Sequence, residues 1–195
     1  SGWHLHQSVA DSEGTNLFTP AEDGAMTDTA SGWIAGLLHH APAMSLFAVP
    51  TITGYKRYRA HSLAPERISW SHDGRGALVR ALCRSGDAAS RVENRGGEPA
   101  ANPYLYLASQ MFAGLDGITA GREAPPAAAD AYDDALPRLP SSLDEALALA
   151  RDDAFVRDRF GATFMDCYVA IKKAELASFA THVGDWEHRA YFAAF

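Results

Sequence analysis

The chain has 195 residues, of which 47% are hydrophobic and 21% charged, a composition typical of one folded domain with a substantial core rather than of a disordered protein. Its formal net charge of -7 argues against a nucleic-acid-binding protein, because such proteins usually carry a basic patch that meets the phosphates. No apolar run reaches the ~18 residues that a membrane span needs. The distant Cys83 and Cys167 indicate reduced thiols, so we expect a cytoplasmic protein without nucleic-acid or membrane partners.

The first quarter of the chain is predicted to form a strand, a loop and helical structure. Residues 3–9 alternate in a strand-like pattern, and the Gly-, Asp- and Thr-rich residues 11–29 predict a long loop. Residues 29–47 place apolar side chains at helical spacing, interrupted at Pro42. This pattern predicts either two short helices or one kinked helix.

A group of three strands is predicted in the middle of the chain. The alternating segments are residues 67–72, 77–83 and 90–95. Turn residues separate them at Asp73-Gly74 and at residues 85–87. We therefore expect an antiparallel meander.

Helices are predicted to dominate the remainder. Asn102 and Pro103 suit the N-cap and first position of a buried helix, and Ser142 with Glu145 has capping-box spacing. Between them, residues 119–140 are predicted to form an irregular segment on the surface. Further helices are expected up to residue 151, over residues 153–159 and 163–183, and from residue 186 onward. The predicted fold class is α+β, a curved antiparallel sheet with helices packed on its outer face and a helical C-terminal third.

The clearest candidate for chemistry is the sequence Arg-Val-Glu-Asn-Arg at residues 91–95. In a strand, Arg91, Glu93 and Arg95 share one face, so two guanidiniums would flank one carboxylate. A hard divalent cation takes oxygen ligands such as those of Glu93, and arginine binds phosphate or carboxylate in bidentate fashion. Taken alone, however, this pattern is more often a solvated strand face with cross-strand ion pairs.

Further candidates lie on other predicted elements. His4 and His6 would project from one strand face, where they could share a metal or divide between a metal and a phosphate. The alternative is a pair of histidines satisfied by backbone carbonyls. Arg57, Arg75 and Arg80 add cations that could hold an acidic substrate or a phosphoryl transition state, although each could equally be a surface arginine.

Five sequence blocks follow one another along the chain: SGWHLHQS (residues 1–8), GYKRYRAHSLAP (54–65), GRGALVR (74–80), RVENR (91–95) and NPYLYLASQMFAGLDGI (102–118). Their order and intervals resemble the C-terminal half of the glutamine synthetase catalytic domain, and the C-terminal helices are similar to that family as well. The resemblance implies that residues 1–195 are the C-terminal portion of this domain. The N-terminal β-grasp domain and the first half of the catalytic domain would then lie outside the chain, which alone is expected to be inactive.

The resemblance implies ATP-dependent ligation. The γ-carboxylate of glutamate would be phosphorylated, and an amine or ammonia would then displace phosphate to give an amide. The implied cofactors are Mg²⁺ or Mn²⁺, with ATP as cosubstrate, and the full-length protein is expected to form a large ring-shaped homo-oligomer.

The resemblance also assigns roles to single residues. The implied metal ligands are His4 and Glu93. The implied nucleotide contacts are His6, Ser8, Arg80 and Arg91. The implied glutamate contacts are Arg57 and Arg95, and the implied catalytic arginines, which would stabilise the transferring phosphoryl group, are Arg75, Arg80 and Arg95.

Besides the absent N-terminal part, Leu63 departs from the pattern of ammonia-using members of this family. Where they carry a glutamate that accepts a proton from ammonium, this chain has Leu63, which cannot accept one. The chain is thus most similar to the glutamine synthetase-like ligases that join glutamate to polyamines, ethanolamine or anilines. Ammonia as acceptor is one alternative, and a catalytically inactive family member with a structural or regulatory role is another.

Overall fold

The computed structural model describes residues 2–22, 24–59, 62 and 64–194. Leu63, on which the expectation about the acceptor depends, lies outside the described residues. Cys83 and Cys167 are both unpaired thiols, as predicted.

Four short strands form one sheet: β1 (Leu5–Gln7), β2 (Trp70–His72), β3 (Val79–Leu82) and β4 (Arg91–Asn94). Their order across the sheet is β1-β4-β3-β2. β4 pairs antiparallel with both β1 and β3, but β2 pairs parallel with β3. The expected antiparallel meander, and with it the wholly antiparallel sheet, is therefore wrong at the β2 edge, and the sheet is mixed.

The parallel pairing follows from the connection between β2 and β3. Asp73 does turn the chain, with a left-handed φ of 53°. The N–H of Val79 then donates to the carbonyl of Ser69 at 3.0 Å, so the chain has returned to the beginning of β2 before β3 starts. Parallel neighbours need such a return. Because β2 is only about 10 Å long at three residues, the short segment 73–78 suffices.

The helices are α1 (Asp28–Ala48), α2 (Pro103–Thr119), α3 (Leu143–Arg151), α4 (Ala154–Phe160), α5 (Ala162–Ala180) and α6 (Asp185–Tyr191), and a 3₁₀ turn spans Gly54–Arg57. α1 is one helix that contains Pro42, which decides between the two alternatives that the sequence left open. The α+β class and the helical C-terminal third are confirmed. Among the described residues, no helix combines the length and the apolarity needed to cross a membrane.

The predicted helix caps are largely present. Asn102 accepts from the N–H of Tyr104 at 3.0 Å, with Pro103 in the first turn of α2. Ser142 accepts from the N–H of Glu145 at 3.1 Å, whereas the Glu145 carboxylate bonds to the N–H of Ser141 rather than to that of Ser142. The Glu145 carboxylate therefore accepts from the residue before the N-cap Ser142, one residue earlier than the capping-box spacing predicts.

The sheet is covered on one face by α1. Ile34 and Leu37 of this helix belong to the same buried cluster as Val79 and Val92 of the sheet. Since successive strand residues point to opposite faces, the residues between them, among them Arg80 and Glu93, lie on the other face. This arrangement leaves one face of the sheet for polar side chains.

Helices α1 and α2 approach closely because glycines line their contact. A Cβ on Gly36 of α1 would collide with the carbonyl oxygen of Ala113, and one on Gly117 of α2 would collide with that of Gly32. The partners in both collisions are backbone atoms, which cannot move aside without separating the helices. α1 and α2 can therefore approach this closely only because Gly36 and Gly117 carry no side chain.

We expect Gly36→Ala to lower the free energy of unfolding by about 3 kcal/mol, because overpacking costs more than the gain in helix propensity. Urea denaturation followed by circular dichroism measures the change. Gly184→Ala is the matched control, since a Cβ there would lie 3.4 Å from its nearest neighbour, Glu187 Oε2, which is an ordinary contact distance. Equal stability of the two variants would contradict the close helix contact.

Candidate active site at the Glu93 cluster

Three strands place their polar side chains around Glu93 of β4. In the registers of the sheet, Glu93 lies opposite His6 of β1 and opposite Arg80 of β3. Because directly opposite residues point to the same face, the three side chains meet on the face that α1 leaves uncovered. Residues that are far apart in sequence thus converge on one carboxylate.

The Glu93 carboxylate is almost completely buried, and each of its two oxygens contacts neighbouring side chains. Oε1 lies 2.7 Å from Nδ1 of His4 and accepts from Nη1 of Arg95 at 2.9 Å. Oε2 accepts from Nη1 of Arg80 at 3.2 Å. Nε2 of His6 stands 3.8 Å from Oε1. We call these five residues the Glu93 cluster.

The charges of this cluster hold Glu93 ionised. Burial by itself would raise the pKa of the carboxyl, but the hydrogen bond from Arg80 and the positive charge of Arg95 together lower it below its ordinary value. For His4, burial and the Arg95 charge lower the pKa, which favours the neutral imidazole. The site therefore presents a carboxylate and a neutral imidazole side by side, framed by guanidiniums.

The guanidiniums that flank Glu93 differ from those that the sequence suggested. Arg95 does contact the carboxylate, but the second cation is Arg80 from the neighbouring strand. Arg91 instead donates from Nε to Nδ1 of His6 at 3.1 Å and from Nη1 to the carbonyl of Ala89. This difference arises from the register between neighbouring strands, which the alternation within one strand does not reveal.

Arg57 reaches the cluster from the 3₁₀ turn. It lines a cavity of about 470 Å³ together with His4 and Arg95. Its Nη1 donates to the carbonyl oxygen of Gly97 at 3.2 Å, and the same oxygen accepts from the N–H of Trp3 at 2.9 Å. The arginine is thus anchored to the loop that follows β4.

Two predicted site residues stand apart from the cluster. Ser8 is exposed beyond the end of β1, and Arg75 is exposed in the connection between β2 and β3. The charge of Arg75 acts on Asp73, whose pKa is lowered chiefly by the hydrogen bond from Arg80. In the part of the chain that the structure describes, neither residue contacts Glu93.

Sequence reasoning missed a buried carboxylate that supports the Arg57 turn. Glu98 is 5% exposed and accepts from the backbone N–H of Thr51 at 2.9 Å and from its hydroxyl at 2.8 Å. Thr51 in turn accepts from the N–H of Gly54, where the 3₁₀ turn begins. The only signal in the sequence is an acidic residue between a glycine pair and a proline, which does not reveal burial.

A second missed group lies beneath β4. Asn94 donates to Gln110 at 2.6 Å and accepts from the hydroxyl of Tyr106 at 3.2 Å and from the N–H of Gly96 at 2.9 Å. This buried network ties the end of β4 to α2. It fixes the strand on which Glu93 and its neighbours stand.

The donor atoms of the cluster suit a divalent cation in chemical type. Carboxylate oxygen is the ligand that Mg²⁺ prefers, and imidazole nitrogen beside it suits Mn²⁺ as well. Over the described ranges, however, no group of three or more His, Cys, Asp or Glu residues is arranged to hold a metal ion. His4 and Glu93 would therefore supply part of a coordination shell rather than all of it.

We expect Glu93→Gln to lower the free energy of unfolding by about 2–4 kcal/mol, because Arg80 and the buried Arg95 lose their shared counterion. Chemical denaturation measures the loss. Asp158→Asn removes an exposed carboxylate 3.8 Å from Arg159 and serves as the control, with little change expected. Similar losses in the two variants would mean that Glu93 does not hold the sheet face together.

Comparison with known proteins identifies the family. The family model described as the catalytic domain of glutamine synthetase matches residues 1–191. A γ-glutamylanilide synthase of an Acinetobacter species is 41% identical over 98% of this chain and 41% of its own length. The γ-glutamylethanolamide synthetase GlnA4 of Streptomyces coelicolor is 36% identical over 97% of this chain and 40% of its own length.

Further similarity comes from a relative named glutamine synthetase and from a solved structure. A glutamine synthetase of Halobacterium salinarum is 34% identical over 100% of this chain and 45% of its own length. The solved structure of apo GmaS without ligand superimposes with a TM-score of 0.86 at 28% identity, covering 98% of this chain and 45% of that one. The chain thus spans less than half the length of the relatives that it matches. On the family model and these relatives together, the chain belongs to the glutamine synthetase family.

Proposed function

We propose that the protein to which this chain contributes is an ATP-dependent ligase that forms a γ-glutamyl amide from glutamate and an amine. The observation that carries the proposal is the Glu93 carboxylate, which contacts His4, Arg80 and Arg95 at once. Phosphoryl transfer depends on positioned cations more than on covalent chemistry, and this cluster supplies them on a rigid sheet. The names of two similar proteins, for an anilide and an ethanolamide product, support an amine as acceptor.

The reaction would run in two balanced steps. An oxygen of the glutamate γ-carboxylate attacks the γ-phosphorus of ATP, the bond to the bridging oxygen breaks, and ADP leaves. The amine nitrogen then attacks the γ-carbonyl carbon of the acyl phosphate, a C–N bond forms, and the C–O bond to phosphate breaks. The nitrogen gives up a proton, and inorganic phosphate leaves with the electron pair.

Each member of the Glu93 cluster has a place in this scheme. His4 and Glu93 would hold a divalent cation, whose contribution when bound is to neutralise phosphate charge. Arg80 and Arg95, already fixed by Glu93, would stabilise the transferring phosphoryl group, and Arg95 would also contact glutamate. His6, held by Arg91, would face the nucleotide.

Other predicted contacts extend this scheme beyond the cluster. Arg57 would bind the α-carboxylate of glutamate from the neighbouring cavity wall. Arg75 at the phosphoryl group and Ser8 at the nucleotide remain predictions. So do the ring-shaped homo-oligomer, the cytoplasmic location and the inactivity of residues 1–195 by themselves.

The full-length protein should release ADP only when glutamate and an amine are both present with Mg²⁺ or Mn²⁺, and a coupled ADP assay tests this. Calorimetric titration with nucleotide and Mn²⁺ distinguishes an active ligase from an inactive family member. A protein that binds neither is a catalytically inactive family member, and the proposed activity is then wrong.

We expect Arg57→Lys to raise the KM for glutamate about tenfold or more with a smaller effect on kcat, because a lysine cannot hold a carboxylate in bidentate fashion. Steady-state kinetics with varied glutamate concentration measure KM and kcat separately. Arg189→Lys, on the exposed surface of α6, is the control and should keep the original KM. An unchanged KM for Arg57→Lys would remove Arg57 from the glutamate site.

Ammonia is the second candidate acceptor, favoured by the similarity of the whole chain to a protein named glutamine synthetase. The same assay with ammonium in place of an amine tests it. Because a carboxylate at position 63 can accept a proton, we expect Leu63→Glu to increase ammonia-dependent amide formation. If the unchanged protein releases ADP faster with ammonium than with every amine tested, this second candidate replaces the first.

A further inference from the structure

The cavity beside the Glu93 cluster is bounded by an excess of positive charge. Four of its lining residues are cations: Lys56, Arg57, Arg59 and Arg95. Among the described residues that line it there is no aspartate or glutamate. A cavity of about 470 Å³ with this wall is electrostatically suited to negative ligands and unsuited to positive ones.

Two of these cations are already engaged, and two are not. Arg57 bonds to the carbonyl of Gly97, and Arg95 is paired with Glu93. The side chains of Lys56 and Arg59 make no hydrogen bond or ion pair with the residues that the structure describes. Both are exposed at the mouth of the cavity.

The position of Arg59 is held by its backbone. Its carbonyl oxygen accepts from the N–H of Ser62 at 3.1 Å and from the hydroxyl of Ser62 at 2.6 Å, and that hydroxyl also reaches the carbonyl of Arg57. This small turn places Arg59 two residues after Arg57 on the same wall. The backbone of Arg59 is therefore anchored beside the cavity that its side chain lines.

We propose that Arg59, together with Lys56, selects the acceptor amine by charge, admitting anionic and neutral aromatic amines and disfavouring cationic alkylamines. This inference rests on the proposed function, in which glutamate and the phosphoryl group engage Arg57 and Arg95. The charges of Lys56 and Arg59 then remain for the acceptor. A carboxylate on the amine would be attracted to them and an ammonium repelled, with both effects reduced by solvent screening.

The proton requirement of the reaction favours the same class. An alkylamine is protonated at neutral pH and must lose a proton before its nitrogen can attack. An aromatic amine is uncharged at the same pH, so its lone pair is available on arrival. Charge and proton transfer therefore select one kind of acceptor.

A series of three six-membered-ring amines tests the inference in the full-length protein: cyclohexylamine, which is cationic, aniline, which is neutral, and 4-aminobenzoate, which is anionic. Amine-dependent ADP release gives kcat/KM for each. The unchanged protein should favour 4-aminobenzoate and aniline over cyclohexylamine. In Arg59→Glu the ratio of 4-aminobenzoate to cyclohexylamine should fall about tenfold, and in Arg59→Gln by a smaller factor.

The ratio is compared between variants, so the intrinsic reactivity of each amine cancels. Lys173→Gln, which removes an exposed lysine of α5, is the matched control and should keep the original ratio. A preference for cyclohexylamine in the unchanged protein, or a ratio that Arg59→Glu leaves unaltered, overturns the inference while the ligase activity stands. Absence of ADP release with all three amines and with ammonium overturns the proposed function, and the inference falls with it.

Discussion

The structure depends on a shared buried carboxylate. Glu93 lies within β4, and its two oxygens contact the imidazole of His4 just before β1 and the guanidiniums of Arg80 on β3 and of Arg95 just after β4. An unpaired charge at this depth would be costly, so each partner makes the burial of the others tolerable. The same contacts that complete the sheet also assemble the residues to which we assign chemistry. Stability and function are therefore difficult to separate at this residue.

The surroundings of the carboxylate are fixed by groups that have no part in the chemistry. The network of Asn94, Gln110 and Tyr106 joins β4 to α2, and glycines allow α2 to lie directly against α1. On the other side, Glu98 holds the start of the turn that carries Arg57. A site that must position phosphoryl and carboxylate groups benefits from such support, because small displacements of cations weaken their action strongly.

Much of this arrangement could be predicted from the sequence, and the failures have a common cause. Helix caps at Asn102 and Ser142 and the alternation around Glu93 are local signals, and the structure contains all three. The parallel pairing of β2, the choice of Arg80 over Arg91 as partner of Glu93, and the burial of Glu98 depend on which strands and turns become neighbours. The convergence of His4 with Glu93 is also non-local, and it was predicted because the order of the sequence blocks resembles a known family. The residue pattern within one segment does not determine the pairing register between two segments.

The carbonyl group of Gly97 links two parts of the molecule through a single atom. Its oxygen has two lone pairs, and they accept from the N–H of Trp3 and from the guanidinium of Arg57. The backbone here packs closely against α2, since a Cβ at Gly97 would stand only 2.6 Å from the ring of Tyr106. Withdrawal of Arg57 toward a bound carboxylate would leave one lone pair unsatisfied and the other bond strengthened. A carboxylate bound by Arg57 would thereby alter the hydrogen bonding of the segment that enters the first strand, one residue before His4.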